Sequence, residues 1–78
     1  MPRYYFHLRN DVQTNDEEGT ELASLAAARE AALDNCRTMV CESVKLGHLN
    51  LDHYILVEDD AGHDVLKVTF REAFTIEG

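Results

Sequence analysis

The sequence predicts an α+β fold: an antiparallel four-stranded sheet in the order β-β-α-β-β, with one long helix, about residues 25–46, packed on one face. Three observations predict it. Residues 3–9, RYYFHLR, alternate in the manner of a half-buried strand. Residues 25–46, LAAAREAALDNCRTMVCESVKL, are rich in good helix formers with apolar groups at helical spacing. Residues 53–58 and 64–70 are apolar runs joined by the polar tip DDAG, which reads as a hairpin. A chain of 78 residues suits one small domain spanning residues 1–78.

Each element has its own warrant. In the first strand Tyr4, Phe6 and Leu8 point one way, and Tyr5, His7 and Arg9 the other. Pro2 stands at its start, where a missing N–H is tolerated. The stretch NDVQTNDEEG carries too many turn formers and acids for regular structure. A short second strand around Gly19 to Leu22 then pairs back onto the first. Ser24 offers a hydroxyl N-cap for the helix. Leu25, Ala28, Ala32, Leu33, Cys36, Met39, Val40, Val44 and Leu46 fall in one broad apolar sector, with Cys41 outside it. Gly47 supplies the left-handed position that ends the helix. In the tail, Phe74 and Ile76 are expected to pin one turn to the core.

Composition excludes several functions. The apolar fraction is 45%, enough to fold. Seven basic residues against fifteen acidic ones give a formal charge of −8 and form no basic run. That balance disfavours nucleic acid and anionic membrane surfaces as partners. It would suit a basic partner. No run approaches a transmembrane span, and no signal peptide is visible, so the cytoplasm is the expected compartment. Cys36 and Cys41 lie five positions apart in one helix, roughly 7.5 Å along its axis. That exceeds the reach of a disulfide, so two free thiols are expected.

Candidate sites are few. Asp59, Asp60 and Asp64 at the hairpin tip could offer oxygen ligands to Ca²⁺ or Mg²⁺, but they lack the register of an EF-hand loop. His48, Asp52 and His53 around the linker HLNLD could serve zinc, though no HExxH or Cys/His spacing supports it. The competing readings are a solvated turn and a histidine beside a helix C-terminus. Cys41 stands late in a helix, where the dipole disfavours a thiolate. Glu17 and Glu18 stand in a solvated loop, and the four glycines form no phosphate loop. No cofactor and no catalytic set is therefore expected, and the chain reads as a non-enzyme.

The segments MPRYYFHLRND, DEEGTEL, AAAREAAL and ILVEDDAGHDVLKVTFREAF together resemble a family of short, uncharacterised bacterial proteins frequent in rhizobia and related alphaproteobacteria. The likeness rests on the aromatic opening RYYFHL, on Asp16 and Gly19, and on the terminal hairpin followed by Phe70 and Ala73. It implies one full-length domain and a bacterial origin, and carries no mechanism. A looser architectural likeness is to small antitoxin-type domains, whose partners are toxin proteins; the separate DNA-binding segment that some of them carry has no counterpart here, and the strand order expected here differs.

The leading expectation is a protein-interaction module that self-associates as a homodimer through a sheet edge or open sheet face. Tyr4, Tyr5 and Tyr54 are its candidate contact residues. The alternative is a small-ligand or metal-binding protein using His48, Asp52 and His53, or the tip from Asp59 to Asp64. An enzyme built at a dimer interface is the third reading.

Overall fold

A computed structural model describes residues 2–10 and 13–77; Met1, Asp11, Val12 and Gly78 lie outside the described residues. The elements are β1 (Arg3–Arg9), β2 (Gln13–Thr14), β3 (Thr20–Glu21), α1 (Leu25–Lys45), β4 (Tyr54–Asp59) and β5 (Asp64–Thr69). A single 3-10 turn, Phe70–Ala73, follows β5. The class is the expected α+β, with an antiparallel sheet and one helix, but the sheet has five strands rather than four. The extra strand falls inside the segment read as irregular. Gln13 and Thr14 are both exposed, so no apolar alternation marks them; pairing with Arg9 and Leu8 makes the strand.

The main path of the sheet is β2-β1-β4-β5, and β3 shares the outer edge of β1 with β2. The central pair is β1 with β4, running from Tyr4 opposite Asp59 to Arg9 opposite Tyr54. This register places Phe6, Val57 and Leu66 in one row, and Leu8, Ile55 and Val68 in the next. Both rows face α1. The alternate positions Tyr5, His7, Tyr54, Leu56, Glu58 and Lys67 face the other way. A bulge at Val57/Glu58 leaves Val65 as an extra residue on β5.

Helix α1 starts where Ser24 accepts the Ala27 N–H on its side chain. It ends in a Schellman closure: His48 N–H donates to the Ser43 carbonyl, and Gly47 N–H to that of Val44. Gly47 has φ +87°, which a side chain would strain. Ala28 and Ala32, both fully buried, form the contact row, joined by Leu33 and Cys36. Small side chains bring the helix axis close to Val57 and Val68, which are also wholly enclosed. Arg37 fastens the tail, its Nε donating to the Ala73 carbonyl at 2.6 Å.

The apolar sector of the helix is longer than the sheet beneath it. Leu25, Val44 and Leu46 overhang the core and are exposed at 44%, 57% and 78%. In the tail Phe74 packs on the core as expected, whereas Ile76 is 60% exposed and pins nothing. Cys36 is buried and Cys41 exposed, both as free thiols. Burial pushes the Cys36 thiol up to about 11, with Glu72 adding to the shift and Arg37 opposing it.

The close helix–sheet approach makes a definite prediction. Ala32→Leu inserts a side chain where Ala32 has no exposed surface, and should cost about 1–3 kcal/mol. Urea unfolding should show a lower midpoint at unchanged slope.

Candidate functional site

At the hairpin tip one of the three acids is engaged in folding. The Asp59 carboxylate accepts the N–H groups of Ala61 at 3.0 Å and His63 at 2.8 Å through one oxygen. Its other oxygen lies 3.7 Å from His63 Nδ1. The Asp59 carbonyl accepts the Gly62 N–H, and its own N–H donates to the His63 carbonyl. Asp59 therefore builds the turn, while Asp60 and Asp64 stand exposed beside it. The legible signal was an Asp two residues before Ala61 and four before His63, an Asx-turn spacing.

The fold separates Asp52 from the two histidines. Asp52 pairs with Arg71 at 3.5 Å, while its N–H donates to Asn50 Oδ1. The His53 ring meets Phe70 edge-on, with centroids 5.8 Å apart. His48 and His53 line one open cleft of about 310 Å³, together with Asn10, Met39, Glu42, Ser43, Leu46 and Phe70. Asp52 is not among its walls. Among the described residues, no three His, Cys, Asp or Glu side chains gather closely enough to hold a metal ion.

The sheet face turned away from α1 holds the densest polar network. Between β2 and β3 the outer edge of β1 lacks a partner strand at Tyr5 to His7, and Asp16 fills the gap. One Asp16 oxygen accepts the Phe6 N–H at 3.1 Å; the other accepts those of Glu18 and Gly19 at 3.2 and 3.1 Å. The Asp16 N–H donates to His7 Nδ1 at 3.1 Å. An accepting Nδ1 leaves the neutral ring's proton on Nε2, which faces Glu58 at 3.8 Å. His7 is thereby the one buried polar side chain among the described residues. Desolvation raises the Asp16 carboxyl, but the three backbone donors and His7 outweigh it and hold the group below its ordinary range.

Gly19 completes this corner. Its φ is +71°, and a Cβ there would lie 2.9 Å from Arg3 Cγ and from Tyr5 Cε1 and 3.0 Å from the Tyr4 carbonyl oxygen. Arg3 donates to the Glu18 carbonyl at 2.7 Å and pairs with Glu21 at 3.3 Å. Across the face, Lys67 Nζ sits 4.4 Å from the centre of the Tyr54 ring. Of the three tyrosines, Tyr5 and Tyr54 are half-buried on this face, whereas Tyr4 lies in the core at 7% exposure. Strand parity already placed Tyr4 on the side of Phe6 and Leu8, so its ring is a packing element.

These features define a small α+β domain whose irregular β1 edge is sealed by an Asp-x-x-Gly corner. The chain belongs to the family described as Domain of unknown function (DUF6894), whose model matches residues 3–71. Asp16, Gly19 and the terminal hairpin all lie inside that match. No curated protein and no solved structure matches the chain.

Two substitutions test the corner. Asp16→Asn removes an acceptor and should cost about 1–3 kcal/mol. The wild-type carboxylate stabilises the fold fully above the ordinary aspartate value of 3.8 and loses that contribution as pH falls below it, towards the depressed folded value. Acid titration of stability should therefore be flatter for Asp16→Asn than for wild type below that point. Gly19→Ala should lower the urea midpoint, since the backbone is left-handed and the space is filled.

Proposed function

We propose that the protein is a non-enzymatic protein-interaction module that forms a homodimer through the sheet face opposite α1. Charge distribution carries this reading. The chain has a formal charge of −8, yet strand register puts Arg3, Arg9 and Lys67 on that face together with Glu21, Glu58 and Asp64. With Asp16 counted, three cations meet four acids there, so the face is far closer to balance than the strongly acidic body as a whole. Two copies can approach there without the repulsion that opposes contact elsewhere. Tyr5 and Tyr54 supply amphipathic contact area, and Leu56 lies between their rows.

The sheet edge is a poorer surface than the face. Thr69 N–H is taken by Glu72 at 2.8 Å, a bond that also holds the Glu72 carboxyl below its ordinary range. Phe70 N–H donates to the His53 carbonyl, so alternation turns the Thr69 and Lys67 amides outward from β4. Glu72 therefore blunts the one end of the edge, and a β5–β5 pair centred on Lys67 would oppose two lysines. On the face Arg3 pairs with Glu21 and His7 with Glu58, while Arg9 donates to backbone carbonyls and Lys67 lies over Tyr54, which supports a binding surface over a reactive one.

Sedimentation over a wide concentration range should give a mass rising to twice that of one chain. The double variant Tyr5→Asp, Tyr54→Asp should stay monomeric while keeping its circular dichroism. A monomeric wild type at every concentration, or undiminished association of a folded double variant, refutes the proposal.

A further inference from the structure

The cleft beside the end of α1 has features that the sheet-face reading leaves unused. Its apolar lining is Met39, Leu46 and Phe70. Its polar lining is Asn10, Glu42, Ser43, His48 and His53. Leu46 is 78% exposed, and Val44 and Leu49 beside it are 57% and 44% exposed, so apolar surface continues out of the cleft. A volume of about 310 Å³ is at the small end of the range for ligand sites. Among the described residues no three His, Cys, Asp or Glu side chains gather to hold a metal ion, and the mixed apolar and polar lining suits an organic ligand.

Electrostatics sets the sign of that ligand. The Glu42 carboxylate has no ion-pair or hydrogen-bond partner among the described residues. The cleft opens at the C-terminal, negative pole of a 21-residue helix. The whole chain carries −8. Lys45, the basic residue of the helix's last turn, is not part of the lining. Each of these favours a positive head group, while Met39, Leu46 and Phe70 favour an apolar body.

We infer that this cleft binds a small organic cation, a primary amine carried on an aromatic or branched-alkyl body, with Glu42 receiving the ammonium and Met39, Leu46 and Phe70 holding the apolar part. The site goes beyond the proposed dimer face and does not depend on it.

The test uses the full chain and two probes alike in shape and opposite in charge, 2-phenylethylamine and phenylacetate, followed by NMR titration. The amine should give saturable shifts at the Met39 methyl, the Phe70 ring and His48, and bind at least about tenfold tighter than the acid. Glu42→Gln, at an exposed helix position, should weaken the amine about threefold to tenfold and leave phenylacetate no weaker. Leu46→Ser should weaken the amine while keeping its preference over phenylacetate. Equal affinity for the two probes, an amine affinity indifferent to Glu42→Gln, or the absence of saturable shifts at these residues overturns the inference.

Discussion

One carboxylate closes the sheet where strands cannot. β1 is paired by β4 from Tyr4 to Arg9, but its other edge is shared by two strands of two residues each. Between them the chain swings out, and the exposed backbone would be left to solvent without Asp16. Its oxygens take three N–H groups and its own N–H fixes His7, so a single side chain replaces a stretch of ladder. A carboxylate suits this place because it offers several acceptor positions and gains from each donor it receives. Gly19 is required by the same turn, since the chain must return against Arg3 and Tyr5 with no side chain between.

From that corner the two faces of the sheet diverge. Sealing the edge keeps β1 central, which lets Phe6 and Leu8 share rows with Val57 and Ile55 beneath the alanine face of α1. The alternate residues are then held outward in fixed register, so oppositely charged groups meet across strands. The near-balance of charge on that face follows from register: a slip of one residue would send its strand charges into the core.

Much of this was legible in the sequence because it rests on local chemistry. Ser24 and Gly47 bound the helix through caps that need only a few neighbouring residues, and both act as their residue types predict. The hairpin was readable from apolar runs around a polar tip. What could not be read was created by distant partners. Gln13 and Thr14 carry no strand pattern of their own, and β1 alone makes them a strand. Val44 and Leu46 keep helical apolar spacing, yet the sheet ends before reaching them. Periodicity reports which residues share a face, but not how far the opposing surface extends. For the same reason the linker showed two histidines and an aspartate, while the fold turned the histidines into one cleft and sent Asp52 to Arg71.

The exposed apolar overhang and the nearly balanced sheet face have a common origin. A sheet of this width can cover only the middle of a 21-residue helix, so the helix end must either be wasted or used. The far face, equally, cannot be covered by a second helix that the chain does not contain among its described elements. A domain this small buries too little to enclose both surfaces itself. Both surfaces are thus left uncovered by one economy of size, and the two proposals made for them, a second copy on the sheet face and an organic cation in the cleft, draw on that same shortage of covering chain.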